Sequence, residues 1–202
     1  MIRPLLWLPL AALSLGPAVA QEETLEKQVR KLHALAAGTW CEPVEGGYVP
    51  EDDYLSWTID YTPSWNEGGE PEQVTLIRIF CGAGAYNLQH AYYWYREYEG
   101  LQPLAFAEPT YETEYENDDI DGTLLGVTVT GMGTASLLVN SEFDPETATI
   151  TATAFWRGIG DASSSGTWVF KDGAFSLVRY EIDASYDGEV NPETVLDYSA
   201  ED

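Results

Sequence analysis

Short runs rich in valine, isoleucine, threonine, tyrosine and tryptophan fill the chain after Trp40, and clusters of glycine, proline, asparagine and aspartate separate them. β-Branched and aromatic side chains favour extended backbone, whereas the separating residues favour turns. The pattern predicts a mainly β fold, an antiparallel β-sandwich or open barrel. The candidate strands are 55–61, 73–80, 89–96, 101–106, 124–130, 135–139, 147–156, 167–170 and 174–182.

One helix is predicted before these strands, over residues 24–37. Its apolar stripe consists of Leu25, Val29, Leu32 and Ala36. Gly38 follows as a typical helix stop. His33 lies beside the stripe, and we interpret it as a packed histidine rather than a functional one.

The N-terminus has the features of a secretory signal peptide. Arg3 precedes an apolar run, and the small residues Ala18-Val19-Ala20 precede the polar Gln21. Prolines interrupt the run and it is short, so we predict no membrane span there or later in the chain. The expected organisation is a signal peptide at 1–20, an N-terminal helix at 21–38 and a single β-rich domain at 39–202.

The chain is strongly acidic, with a formal net charge of −25 from 34 acidic and 9 basic residues. Removal of the leader takes away one basic residue and no acidic one, which leaves −26. Nucleic acid and anionic lipid would repel such a chain, so we predict no nucleic-acid partner. Hydrophobic residues make up 45% of the chain, which is enough for a packed core rather than disorder.

Two cysteines, Cys41 and Cys81, are the only ones in the chain. In an exported protein the simplest interpretation of an isolated pair is a disulfide. A two-cysteine metal site is the alternative, and only His33 and His90 could add nitrogen ligands to it. We predict the disulfide and no cofactor.

Two stretches of the chain align with each other. Residues 74–95 and 150–171 share the spacing of two glycines, and an aromatic strand follows each pair. The alignment pairs Gly82 with Gly158, Gly84 with Gly160, Tyr92 with Trp168 and Trp94 with Phe170. We predict an internal repeat, about 55–106 and 124–182, in which each copy forms strand, glycine corner, strand, turn and strand.

The two glycine corners resemble a phosphate loop only superficially. Such a loop needs a helix after its glycines so that amides and the helix dipole converge on the anion. A strand with Trp168 and Phe170 follows here, so we interpret the corners as bends between strands. The residues assigned to them are Gly82, Gly84, Asn87, Gly158, Gly160 and Asp161.

Enzymatic chemistry has little support in the sequence. Asp161 lies close to three serines, 163–165, but a nucleophilic serine needs a positioned base and the chain has two histidines. Asp161 is better explained by backbone hydrogen bonds within its turn. Among 34 carboxylates some pair must have a glycosidase spacing, so a pair alone does not discriminate. We assign no catalytic residue and favour a non-enzymatic protein.

The densest acidic stretch spans 108–122, and we interpret it as a solvated loop. Asp119 and Asp121 resemble part of a calcium loop, but the position of the bidentate glutamate is occupied by Thr128. These aspartates are therefore only weak metal candidates.

The segment 89–96 offers a possible ligand patch. If it is extended, one face carries His90, Tyr92, Trp94 and Arg96. Aromatic side chains with polar tips can stack on sugars or bind proteins, while half-buried tyrosines under a loop are the simpler explanation.

Several motifs in 76–180 resemble the exported bacterial family called domain of unknown function 1176. They are CGAGAYN at 81–87, LQPLAFAEP at 101–109, RGIGD at 157–161 and GTWVFKDGAFSLV at 166–178. In that family a cysteine typically follows the Gly-Asp pair and is bonded to another near the C-terminus, whereas Ala162 stands here and no cysteine follows. The resemblance implies a divergent, exported Gram-negative protein, periplasmic or secreted, and carries no activity with it.

Charge and motifs together predict a binding or envelope module whose acidic surface engages a cationic partner. That partner could be a cationic protein or a divalent cation. The alternative is a carbohydrate-binding or carbohydrate-active protein that meets an envelope glycan through an aromatic groove with carboxylates.

Overall fold

A computed structural model describes residues 24–37, 41 and 47–198, and the predicted signal peptide lies outside them. The described part is mainly antiparallel β-structure with one helix, as the sequence predicts. The helix is α1 (Leu25–Ala36). The strands are β1 (Tyr54–Tyr61), β2 (Glu72–Ala83), β3 (Leu88–Arg96), β4 (Gly100–Pro103), β5 (Phe106–Tyr115), β6 (Leu124–Ala135), β7 (Leu137–Val139), β8 (Glu142–Asp144), β9 (Thr149–Phe155), β10 (Ser163–Lys171), β11 (Ala174–Asp183) and β12 (Glu193–Asp197).

Two five-stranded sheets and one long hairpin make up the domain. The first sheet has the order β1-β2-β3-β4, with β7 also paired to β3, and the second has the order β12-β11-β10-β9-β8. Strands β5 and β6 pair only with each other among the described residues. The predicted antiparallel β class is confirmed, and no closed barrel forms within the described residues.

The main core lies between the two sheets and under the hairpin. The first sheet contributes Leu76 and Tyr92, and the second contributes Ile150, Trp168 and Ile182. Phe106, the first residue of β5, is only 2% exposed and joins this core from the hairpin. Apolar burial at this junction is the main force that holds the three layers together.

The other face of the first sheet is covered by α1. Val29 of the helix is fully buried against Ile77, Ile79, Ala91 and Tyr93. Alternate residues of β2 and β3 therefore face opposite cores, because side chains along a strand point to opposite faces. Within the described residues, no helix is long and apolar enough to cross a membrane.

The disulfide predicted from the sequence forms between Cys41 and Cys81. Cys81 lies near the end of β2 and is buried. The bond ties residue 41, beyond the end of α1, to the sheet on which the helix packs.

The prediction of a loop for the acidic stretch at 108–122 is partly wrong. Strand β5 occupies its first half, with Tyr111 and Tyr115 half-buried and Glu112 and Glu114 exposed. This alternation has the period of a strand that is covered on one side only. The buried Pro109 is tolerated because β5 pairs with one neighbour only.

Other strand predictions differ from the structure in their bounds. The predicted strand at 101–106 is interrupted after Pro103, and β6 runs on through Ala135. Strand β10 begins at Ser163 rather than Thr167, because small buried serines fit between its two neighbours. The short strands β8 and β12 were not predicted, since neither has a run of β-branched or aromatic residues long enough to stand out.

Both aligned stretches adopt the same order of elements. Strands β2, β3 and β4 form one antiparallel meander, and β9, β10 and β11 form another. The aligned Tyr92 and Trp168 both contact the Phe106 ring, with ring centroids 5.4 Å and 5.6 Å away. A duplication as the origin of the two meanders stays a prediction.

Candidate functional site

The two glycine corners meet and lock the two sheets together. The Asn87 side chain donates to the Phe155 carbonyl oxygen at 2.8 Å and accepts from the Phe155 amide at 3.2 Å. The Tyr86 hydroxyl donates to the Trp156 carbonyl oxygen at 3.2 Å. A Cβ atom on Gly158 would lie only 3.4 Å from the Tyr86 ring. Glycine, which has no Cβ, therefore suits this close contact.

Backbone geometry agrees with the interpretation of both corners as bends. The Gly84 amide donates to the Asn87 carbonyl oxygen at 2.7 Å, which closes the first corner. Gly160 has a φ of +78°, a conformation that glycine adopts without strain. A strand rather than a helix follows Ala162, so neither corner has the architecture of a phosphate loop.

Asp161 is buried and braces a distant loop. Its carboxylate accepts from the Arg157 guanidinium and, at 2.8 Å, from the Gly188 amide. Arg157 also donates to the Tyr186 carbonyl oxygen at 2.6 Å and lies over the Tyr186 ring. The hydrogen bond from Arg157 lowers the pKa of Asp161. The second corner therefore fixes the 186–188 loop.

A second buried aspartate, Asp183, organises the same loop from its other end. It accepts from the Ser185 amide at 3.1 Å, the Ser185 hydroxyl at 2.8 Å and the Asn191 amide at 2.8 Å. Asp161 and Asp183 are the only buried acidic residues in the described part of the chain. Hydrogen bonds to these two carboxylates hold the 184–191 connection in place.

An open cavity of about 490 Å³ lies between this loop and the tip of the β5–β6 hairpin. Its acidic residues are Asp121, Asp183, Asp187 and Glu193. Hydrogen bonding, above all from the Glu189 amide, lowers the pKa of Asp187 and keeps it ionised. We call this cavity the acidic cleft.

Aromatic rings continue from the wall of the acidic cleft. Tyr186 lines the cleft, and its ring centroid is 6.1 Å from that of Trp156. Trp156 in turn stacks on Tyr111 with ring planes 8° apart. The Arg157 guanidinium already lies over the Tyr186 ring, so the carboxylates are what suit the cleft to a positively charged group.

The two weak metal candidates both lie in the tip of the β5–β6 hairpin. Asp121 lines the acidic cleft, whereas the Asp119 carboxylate accepts from the Asp121 amide at 3.1 Å within the hairpin tip. The residues that the structure describes contain no group of three or more His, Cys, Asp or Glu side chains that could hold a metal ion.

The predicted ligand patch on β3 is buried at one end and partly exposed at the other. His90 and Tyr92 are buried between the sheets. Trp94 and Arg96 are half-buried, and the Arg96 guanidinium lies 3.9 Å from the centroid of the Trp94 ring. Arg96 also lines an open cavity of about 850 Å³ with Tyr95, Tyr98 and several glutamates. The carbohydrate alternative therefore stays a prediction, with the groove displaced from the four predicted residues.

His90 belongs to a buried polar cluster that sequence reasoning missed. Its Nδ1 lies 3.1 Å from the Ser141 hydroxyl, to which the Tyr92 hydroxyl donates at 3.0 Å. Arg78 donates to the Ser141 carbonyl oxygen at 2.7 Å and to Asp52 at 2.8 Å. Ser141, rather than serines 163–165, is thus the serine next to a histidine, and no local sequence signal marks it.

The Ser141–His90 contact is structural in this setting. Ser141 is 1% exposed, so a substrate carbonyl has no route to its hydroxyl. The cluster satisfies polar groups between the sheets and joins the β7–β8 connection to β2 and β3.

Protonation of His90 is expected to destabilise the fold. Burial and the nearby Arg78 lower the pKa of His90 to about 4. An unfolded histidine binds its proton near pH 6.5. The free energy of unfolding should therefore fall as the pH drops from about 6.5 towards 4, by up to about 3 kcal/mol.

The pH dependence of urea unfolding measures this effect. The His33→Gln background leaves His90 as the only imidazole, because the chain has two histidines. Adding His90→Gln to that background should flatten the dependence between pH 4 and 6.5. An unchanged slope would show that His90 is not the titrating group.

Comparison with known proteins gives one match. A family model described as "Protein of unknown function (DUF1176)" matches residues 71–192. No curated protein and no solved structure matches the chain. The matched range contains both glycine corners, Asp161, Asp183 and the acidic cleft except Glu193.

Proposed function

The chain belongs to the DUF1176 family of proteins of unknown function, as its motifs predict, and we propose that it is an exported, non-enzymatic module that binds a cationic protein. The acidic cleft carries this proposal. In it, three exposed carboxylates surround a cavity that the loop 184–191 and the hairpin tip hold open.

The charge of the whole chain supports the same partner. A net charge of −25 creates a negative field that attracts a basic protein and accelerates its encounter. The two buried aspartates hold the cleft loop in one shape, so little ordering is needed on binding. The net charge attracts a basic protein to the surface as a whole, and the cleft then provides the specific binding site.

The size of the cleft favours an amino-acid side chain over a lone ion. Its volume of about 490 Å³ is many times that of a water molecule, about 30 Å³. An arginine side chain can fill such a space while its guanidinium meets Asp121 or Asp187.

Export is part of the proposal. The Cys41–Cys81 disulfide is typical of an oxidising compartment, and the N-terminal sequence has the pattern of a secretory leader. A periplasmic or secreted protein would meet basic proteins outside the cytoplasm.

Affinity for a fluorescent oligo-arginine peptide tests the proposal. The triple variant Asp121→Asn, Asp187→Asn, Glu193→Gln should bind about tenfold more weakly than wild type, since exposed charge pairs each contribute roughly 0.2–1 kcal/mol. Raising the salt concentration should weaken wild-type binding and affect the variant less.

A matched control removes the same charge elsewhere. Glu67, Glu70 and Glu146 are exposed, and they precede β2 and β9 at the ends away from the cleft. Their triple glutamine variant should keep most of the affinity. Equal losses in the two variants would mean that the cleft is not the site. Displacement of the peptide by micromolar Ca²⁺ would instead assign the cleft to a divalent cation.

A further inference from the structure

Strand β6 has an unusual open edge. It is 12 residues long and pairs with β5 on one side, while no described strand pairs with its other side. Its sequence, LLGVTVTGMGTA, contains neither a charged residue nor a proline, although 21% of the chain is charged. Exposed edge strands normally carry such residues to prevent pairing with other chains.

Apolar side chains accompany this edge. Val129 is 38% exposed and Met132 is 54% exposed. These two side chains line a groove of about 580 Å³ together with residues 195–197 of β12 and Tyr198, which follows that strand. Strand β12 is itself the last strand of its sheet.

The groove and the acidic cleft lie along the same pair of strands. The cleft includes Leu124 and Glu193, the first residues of β6 and β12, and the groove includes Met132 and Tyr198 further along. At a rise of about 3.4 Å per residue, the backbone from Leu124 to Met132 extends for roughly 27 Å. That length accommodates about eight residues of an extended peptide.

We propose that an extended segment of a basic partner protein pairs with the free edge of β6. Backbone hydrogen bonds supply part of the affinity, and alternate apolar side chains enter the groove. A lysine or arginine at one end reaches the acidic cleft. This inference rests on the proposed function and names the form in which the cationic partner is bound.

Charge selects this occupant over a second copy of the chain. Two copies would each bring a net charge of −25 and repel one another. Glu112 and Glu114 are exposed on β5, the strand paired with β6, so the field beside the edge is negative. A segment that alternates apolar and basic residues meets both the groove and the field.

The experiment compares three peptides by fluorescence anisotropy. One alternates arginine with valine over eight residues, the second is the same peptide with alternate backbone amides N-methylated, and the third is oligo-arginine. N-methylation removes donors that strand pairing requires. The alternating peptide should therefore bind about tenfold more tightly than its N-methylated form.

A variant in the groove separates this inference from the proposed function. Met132→Arg places a positive charge beside the edge and should weaken the alternating peptide about tenfold, with little effect on oligo-arginine. Thr134→Arg, at an exposed position of β6 outside the groove, is the matched control. Far-ultraviolet circular dichroism checks that both variants fold.

The outcomes are distinct. If oligo-arginine binds through the cleft while N-methylation and Met132→Arg change nothing, strand pairing is overturned and the cleft remains. If neither peptide binds, both proposals fail. If the protein alone forms a dimer in sedimentation at micromolar concentration and Met132→Arg abolishes it, the edge belongs to a second copy and the basic segment is the wrong occupant.

Discussion

Replacing Phe106 by alanine is expected to lower the free energy of unfolding by about 4 kcal/mol, the middle of the range for buried phenylalanines. Phe106 contacts Tyr92 of the first sheet, Trp168 of the second and, at 6.0 Å between ring centroids, Phe175. It is the one residue of the β5–β6 hairpin whose ring meets both sheets among the described contacts. Its loss leaves a cavity where three layers join.

Chemical denaturation by urea measures the effect, with Leu125→Ala as control. Leu125 also belongs to the hairpin but is 58% exposed, so its truncation should change stability by less than about 0.5 kcal/mol. Similar small losses in both variants would mean that the hairpin is not anchored through Phe106.

Removal of the disulfide is expected to cost a comparable amount. The cysteines are separated by 40 positions, and closing a loop of that length stabilises a protein by about 4 kcal/mol in the chain-entropy model. The Cys41→Ser, Cys81→Ser variant should therefore unfold at a markedly lower urea concentration than wild type. Without the bond, the unfolded chain gains conformational entropy, which favours unfolding. In the folded state, α1 also loses its covalent link to the sheet.

Reductant provides the internal control for this prediction. Dithiothreitol should lower the stability of wild type to that of the double serine variant and leave the variant unchanged, since the chain has two cysteines. Equal stability of oxidised and reduced wild type would contradict a stabilising role for the bond.

Features set by local sequence could be predicted. The helix, most strands and the disulfide follow from periodicity, turn residues and the pairing of two cysteines. The sequence analysis did not predict strand β5, because glutamates and proline are uncommon in strands. The residue alternation that marks a strand was present, but the glutamates and Pro109 favoured a loop. High local charge is compatible with a strand here because Glu112 and Glu114 point to solvent and the half-buried Glu108 accepts a hydrogen bond from the Tyr180 hydroxyl.

The candidate site depends on contacts between distant parts of the chain, which local patterns do not contain. Asp161 bonds to Arg157 within its own corner, and in addition it accepts from Gly188, 27 positions later. Asp121 was considered for calcium, and in the fold it lines the same cavity as Asp187, 66 positions later in the chain. The same holds for Ser141, which meets His90 only because β7 pairs with β3.

Amide hydrogen exchange with and without oligo-arginine tests the acidic cleft most directly. Binding should slow exchange in the hairpin tip, 121–124, and in the loop 183–193, and the Asp121, Asp187 and Glu193 triple variant should lose that protection. Bound peptide that protects other segments and leaves these two unchanged would contradict the assignment of the cleft as the site for a cationic partner.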